Sequence, residues 1–415
     1  MRKHMSGWSN YSEIVTSQNM IEREMGDRGS KSDSKISVKE QRVDDNWHKR
    51  SSFVFKVYSN GFWKKQSSQN PFLVNKRQII NSIPKRDLEF TRSFSTVSQV
   101  TKLPCWWVAG FVDAEGCFRI SIIKNKNYKG NPFLPSIYSE NNGWGATMPL
   151  SVRLYFQIGL HLKDEKILNL IQSTLGVGKV YKSKSRPDSV ELQVSSFKDM
   201  SAIIEFFDKY PLITQKWTDF LLFKKAYELI LNKQHLTIEG LIKLVEIKAL
   251  INKGLPDQLK EAFPKFKLNK GRCEVIKEIP DPNWIAGFTS GEGSFNVRVF
   301  KSSSHAIGYQ TQLRFQITQQ ARDKFLMERL VSYLDCGYIS ERGDIIDFKV
   351  TKYSDIVDKI IPFFEKYHII GVKLDNFQDF CKVAKLVGDK DHLTVEGLEK
   401  IRLLKSNMNT FREID

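Results

Sequence analysis

Two glutamates occupy matching places in a stretch that the chain writes twice, WWVAGFVDAEGCF at 106–118 and WIAGFTSGEGSF at 284–295. Each copy carries small residues four apart, Gly110 and Ala114 in the first and Gly287 and Gly291 in the second. Residues four apart share one face of a helix, and small ones let two helix backbones approach closely. Two such helices packed side by side bring their C-terminal ends together, each with one glutamate, Glu115 or Glu292. A carboxylate there faces the negative pole of the helix, at a cost of about 0.3–1 kcal/mol, and the two carboxylates also repel. A divalent cation reverses both penalties, and carboxylates with backbone carbonyls and water are what Mg²⁺ accepts. Paired metals turn a bound water into a nucleophile and stabilise the leaving oxygen of an in-line phosphoryl displacement. Trp107, Phe111, Trp284 and Phe288 are expected to face the core of their own half.

The repeat extends well beyond these stretches. RLYFQIGLHLKDEKIL (153–168) returns as QLRFQITQQARDKFL (312–326), IIEFFDKYPLITQKW (203–217) as IIPFFEKYHIIGVKL (360–374), and HLTIEGL (235–241) as HLTVEGL (392–398). TLGVGKV (174–180) is echoed by YLDCGYI (333–339). Matches in one order mean a duplicated module. Most of the change in offset comes from an extra Gly-, Pro- and Asn-bearing segment at 129–149, which reads as a loop. CFRISIIK and SVRLYFQIGL alternate as strands do, KDEKILNLIQSTL has helical spacing with Ile167, Leu168 and Ile171 on one face, and KVYKS with VELQVSS reads as a hairpin. The expected fold is α+β: two pseudo-symmetric α-β-β-α-β-β-α modules with the motif helices packed at a dyad. The expected boundaries are a basic, poorly ordered extension (1–100), module 1 (103–251), a proline-rich linker (252–282), module 2 (283–409) and a tail (410–415). Thr237 and Thr394 read as helix N-caps, with Gly240 and Gly397 early in the following helix. His235 and His392, just before them, read as helix-entry or packing residues.

The formal charge of the 415-residue chain is +17. An excess of this size points to a polyanionic partner, most often nucleic acid. The strands carry Arg119, Lys124, Lys126, Arg153, Lys179 and Lys182 in the first copy and Arg298, Lys301, Arg314 and Lys349 in the second, and these are taken as the exposed, DNA-binding face. A curved sheet ribbon with alternating polar side chains fits a DNA major groove. The five cysteines are scattered without a C-x-x-C pair, which fits neither a zinc site nor a disulfide frame and suggests a reducing compartment. No apolar run approaches the length of a membrane span, so no membrane partner is expected. RSFSTVSQ (92–99) has the Arg and Ser of a presequence end, whereas Glu22, Glu24, Asp44 and Asp45 upstream argue against one.

The doubled helix, the FQI on the second strand, YPLITQK and HLT-EGL together resemble the LAGLIDADG homing endonucleases, in the single-chain, two-motif form encoded in fungal mitochondrial introns. The resemblance covers about 103–409. It implies a monomeric pseudo-symmetric saddle with curved antiparallel sheets. It also implies a long pseudo-palindromic or asymmetric double-stranded DNA site, cleavage of both strands across the minor groove with Mg²⁺, short 3′ overhangs, intron mobility and a mitochondrial location. Glu115 and Glu292 fall on the family's metal-binding acid, and the carbonyls of Ala114 and Gly291 on the neighbouring backbone ligands. Lys216 and Lys373 match the basic residue near the scissile phosphates. Gln319 matches a residue that helps place active-site water, and Leu160 stands at its counterpart, so this feature is one-sided. Asp113 matches an acid that is structural in the family, with Ser290 opposite it. Lys163 and Arg322 are expected to contact phosphate. The family also contains RNA maturases, so host intron RNA is the alternative partner.

Overall fold

The stretch at 105–115 has no polar face, and a helix apolar all round must be buried on all sides. It forms α1 (Cys105–Glu115), whose residues from Trp107 to Ala114 are all buried. Its counterpart α6 (Pro282–Glu292) begins with proline in the first turn, and the Asp281 side chain accepts from the Asn283 N–H. The computed structural model describes residues 102–124, 150–183, 186–252, 254–255, 259 and 278–409, all within the unit Ser95–Asp415. The expected N-terminal extension, the loop at 129–149, Lys126, most of the linker, the 410–415 tail and the side chain of Lys124 lie outside the described residues.

After α1 the first half runs β1 (Gly116–Lys124), β2 (Leu150–His161), α2 (Glu165–Leu175), β3 (Lys179–Lys182), β4 (Ser189–Val194), α3 (Phe197–Lys209), α4 (Lys216–Leu231) and α5 (Ile238–Leu250). After α6 the second runs β5 (Gly293–Lys301), β6 (Tyr309–Gln320), α7 (Lys324–Leu334), β7 (Tyr338–Arg342) and β8 (Ile345–Val350). Three contiguous segments make up α8: Tyr353–Asp355, a π-helical turn at Ile356–Ile360, and Ile361–Lys366. Pro362 lacks the N–H that a regular ladder would use, which accounts for the wider turn before it. Then come α9 (Val372–Gly388) and α10 (Val395–Ser406). Each half thus holds the expected α-β-β-α-β-β-α order and adds two further helices. The Thr237 and Thr394 hydroxyls accept from the Gly240 and Gly397 N–H groups at 3.1 and 3.0 Å.

Each half has one four-stranded antiparallel sheet, ordered β1-β2-β4-β3 and β5-β6-β8-β7. Alternation puts Phe118, Ile120, Leu154, Phe156, Val190 and Leu192 on the helix-covered face of the first sheet. The open face carries Arg119, Arg153, Lys179, Glu191 and Gln193, with Lys179 directly opposite Gln193. Two expected members of that face belong elsewhere. Lys182 pairs with the buried Val190, and Lys301 shares the parity of Phe295 and Val297, so both start from the helix side. The expectation pooled basic residues of both parities, whereas a strand sends successive side chains to opposite faces.

Five buried phenylalanines per half hold sheet to helices: Phe118, Phe156, Phe207, Phe220 and Phe223, and at matched places Phe295, Phe315, Phe364, Phe377 and Phe380. Phe118 and Phe295, which end the repeated motifs, are the hubs. Their rings lie 5.3–5.6 Å and 5.1–5.8 Å from the other four in their clusters. Burying each ring is worth about 1.5–3 kcal/mol.

Candidate active site

The two motif helices meet at their glycines. A Cβ on Gly110 would stand 2.0 Å from the carbonyl oxygen of Trp284, and one on Gly287 would stand 1.9 Å from that of Trp107. Any larger residue meets backbone there, so the contact is closed to all but glycine. The tryptophans do more than face their own halves. The Trp107 indole donates to the His368 carbonyl at 3.2 Å and the Trp284 indole to Asp113 Oδ2 at 2.8 Å, each across the dyad. Lining up the apolar face of one helix could not have revealed these polar edges.

This packing brings Glu115 and Glu292 together at the C-terminal ends, where both are half-buried. Burial pushes the Glu292 carboxyl up to about 8; the charge of Glu115 adds to this, while Lys373, Lys216 and a hydrogen bond from Gln319 oppose it. The Glu115 carboxyl is also pushed up by burial, against Lys373 and Lys216 and with the charge of Asp164 adding to the rise. Burial lowers the Lys373 ammonium, although Glu115, Glu292 and Asp164 all favour its charge. Two carboxylates and two ammonium groups therefore share one poorly solvated patch. A cavity of about 210 Å³ opens beside Glu115, lined also by Leu160, Asp164, Gly291, Lys373 and Asn376.

The lysines are not surface residues at a helix start. Lys216 is 6 % exposed, and its Nζ donates to the carbonyls of Val112 and Ala114 at 3.0 and 3.1 Å. Lys373 Nζ donates to the carbonyl of Gly291. Each ammonium thus sits at the negative end of its own half's motif helix, which it stabilises. The Ala114 and Gly291 carbonyls are the ones expected to face a metal, so a cation already occupies their neighbourhood.

Aspartates that sequence reasoning left out set the lysine-bearing helices. Asp323 Oδ1 accepts from the N–H of Gln215, the residue before α4, at 2.8 Å. Asp164 Oδ1 accepts from the N–H of Val372, which opens α9, at 2.9 Å. Each half therefore caps the lysine helix of the other. The signal is an aspartate at the same place in LKDEK and ARDKF, directly after the basic Lys163 and Arg322. The Arg322 side chain is more than half exposed and pairs with Asp323 at 3.7 Å. Asp113 accepts from the Ile213 and Thr214 N–H groups, the Thr214 hydroxyl and the Trp284 indole. Burial nevertheless raises its carboxyl to about 6. Ser290 takes the matching place, accepting from the Ile370 N–H at 3.2 Å and donating to the Ala286 carbonyl at 2.8 Å.

The donors that converge are two carboxylates, backbone carbonyls and the Gln319 amide. No group of three His, Cys, Asp or Glu side chains able to hold a metal occurs among the described residues. An all-oxygen set with two carboxylates fits a hard divalent cation that keeps part of its water, and such a charge would relieve the protonation of Glu292. Of the basic residues assigned to the sheets, Arg119 lies over the Tyr155 ring at 4.4 Å and Arg298 over Phe300 at 5.8 Å. Arg314 stands beside Asn296 in the register. Lys349 is only 13 % exposed and is held by Asp347.

Comparison with known proteins bears on the family and the fold. The LAGLIDADG endonuclease family matches residues 108–227 and 285–384. The probable intron-encoded endonuclease 3 of Neurospora crassa is 38 % identical over 410 residues, 97 % of this chain and 73 % of that protein. The probable intron-encoded endonuclease 2 of the same fungus is 36 % identical over 77 % of this chain and 70 % of its own length. Among solved structures, the meganuclease I-SmaMI bound to uncleavable DNA superposes with a TM-score of 0.68 at 44 % identity, covering 75 % of this chain and 99 % of that one. The meganuclease I-CpaMI bound to uncleaved DNA gives 0.67 at 42 % identity, over 74 % of this chain and 100 % of its own. A match that reaches both copies of the motif, and a relative aligned along nearly the whole length, leave one conclusion: the chain belongs to the LAGLIDADG endonuclease family, in its two-motif form.

Proposed function

We propose that the chain is a homing endonuclease that binds a long double-stranded DNA site as a monomer. It hydrolyses one phosphodiester in each strand with Mg²⁺, leaves short 3′ overhangs and so promotes mobility of its own intron, in the mitochondrion. The observation that carries this reading is the meeting of Glu115 and Glu292 at the ends of two helices locked glycine to backbone. The relatives solved with DNA support it, as does an I-SmaMI structure with uncleaved target in the presence of calcium ions.

When bound, the divalent ion supplies an activated water and a charge against which the leaving oxygen departs. Glu115 and Glu292, with the Ala114 and Gly291 carbonyls, hold it. Lys216, buried, and Lys373, half-buried, sit beside those carbonyls and place positive charge near the phosphate as negative charge develops on it. Gln319 fixes the Glu292 carboxyl by a hydrogen bond, which Leu160 cannot do for Glu115. Arg119, Arg153, Lys179, Arg298 and Arg314 hold the duplex on the open sheet faces.

A supercoiled plasmid carrying the intron-free insertion site tests this, incubated with MgCl₂ or with EDTA. Glu292→Gln is expected to bind the site and to lose at least ~100-fold in cleavage rate. Cutting at the wild-type rate by that variant would remove Glu292 from the active site.

A further inference from the structure

A sheet surface meant for a polyanion is an unfavourable place for a carboxylate, yet each half has one at the same position on its open face. Asp347 lies on β8 between the buried Ile346 and Phe348, opposite Thr318 in the register. Glu191 lies on β4 between Val190 and Leu192, opposite Gly159. Both are covered by polar side chains, Asp347 at 0 % exposure and Glu191 at 6 %.

Four hydrogen bonds and one further ion-pair contact converge on Asp347. Its Oδ1 accepts from Gln316 Nε2 at 2.9 Å and from the Thr318 hydroxyl at 2.7 Å. Its Oδ2 accepts from Arg342 Nε at 2.9 Å and from Lys349 Nζ at 2.9 Å, and is ion-paired with Arg342 Nη2 at 2.7 Å. Burial alone would raise this carboxyl, but the bonds from Lys349 and Thr318 and the charges of Lys349 and Arg342 hold it below its ordinary range. A buried ion cluster rarely adds stability over a well-packed apolar one. What it does provide is fixed geometry: long side chains whose rotamers are set before a partner arrives lose less entropy on binding. The Arg342 side chain, 34 % exposed, uses its Nε–Nη2 edge on Asp347, which leaves Nη1 as the part not engaged by that carboxylate.

We propose that Asp347 is a specificity-determining residue that does not itself touch DNA: braced by Gln316 and Thr318, it orients Arg342 and Lys349 as one unit for reading base edges and withholds the charge of those two residues from indiscriminate phosphate binding. The base that suits an oriented arginine or lysine in a major groove is guanine. This rests on the reading of the open sheet face as the DNA-binding surface. Glu191 takes the equivalent place, accepting from Gln157 at 2.6 Å beside the Tyr181 hydroxyl, which donates to Gln193, and the charges of Arg119 and Arg186 oppose the rise that burial gives its carboxyl.

The test uses the full chain, the duplex it cleaves from a randomised library, every single-base variant of that duplex, and poly(dI-dC) as non-specific competitor. Binding is measured in Ca²⁺ at fixed salt. Asp347→Asn is expected to bind poly(dI-dC) more tightly, because one negative charge is gone. At the same time it should lose on the order of tenfold in discrimination at one to three adjacent base pairs, the same pairs relaxed by Arg342→Ala. Thr318→Val removes one bond to Asp347 without changing charge, and should relax those pairs by about two- to threefold on the same scale; it keeps the test alive if Asp347→Asn does not fold. Glu191→Gln should relax pairs in the other half-site. An unchanged profile in the Asp347 or Thr318 variant, or loss spread evenly over the whole site, overturns the proposal. A wild-type chain that selects no duplex would instead overturn the endonuclease reading.

Discussion

Glu115 and Glu292, Lys216 and Lys373, Asp164 and Asp323, and the phenylalanine hubs recur at matched places in the two halves. Elsewhere the halves part company: Glu191 stands where the second half has Asp347, Leu160 where it has Gln319, and Asp113 where it has Ser290. The recurring residues either gather where the two motif helices meet or, like the phenylalanine hubs, fill the core of their own half. The divergent ones include the open sheet faces, which would read two unlike half-sites and have no reason to agree. The difference separates what the architecture demands from what the partner demands.

The sharpest way to break that comparison is at the glycines. Gly110→Ala and Gly287→Ala each drive a methyl into backbone 2.0 and 1.9 Å away. Each should cost more than the ~1–3 kcal/mol of ordinary overpacking, and by similar amounts, in urea unfolding. A large inequality between them would mean that the dyad is not symmetric in energy. A smaller effect sharpens the contrast between Asp113 and Ser290. Asp113→Asn replaces an acceptor of four hydrogen bonds and should cost about 1–3 kcal/mol, whereas Ser290→Ala should cost about 0.5–1.5 kcal/mol. Equal losses would contradict the unequal contacts.

The smallest expected effect is on pH dependence. Glu292 binds its proton more tightly folded, at about 8, than its ordinary 4.5. The stability it contributes is therefore fully present below about 4.5 and is lost as pH rises through about 8. In EDTA, the Tm of the wild type should fall between pH 5 and 8, and Glu292→Gln should flatten that fall. An identical slope in both proteins would show that the carboxyl is not held protonated.

Much of this was legible in the sequence because it rests on local periodicity. Strands and helices, the threonine caps at 237 and 394, and the paired small residues follow from spacing alone. The pairing of Glu115 with Glu292 followed from the same spacing applied twice. Other features depend on which distant backbone arrives nearby. Nothing local announces that Asp164 will cap a helix beginning at Val372, or that the Trp107 indole will find the His368 carbonyl. Nothing local places Arg342 beside Asp347 either; only the pairing of β7 with β8 does. Lys182 and Lys301 show the complementary error: their charge was legible, but their face depended on strand phase.

The reciprocal aspartate caps carry a consequence for engineering. Neither half owns all the parts of its own lysine helix, so a half expressed alone would begin that helix with an orphaned N–H and leave its own aspartate without its guest. Chimeras assembled from different relatives inherit the same debt at the seam. Their success should follow whether the incoming half brings a carboxylate to the place of Asp164 or Asp323, more than how similar the two parents are overall.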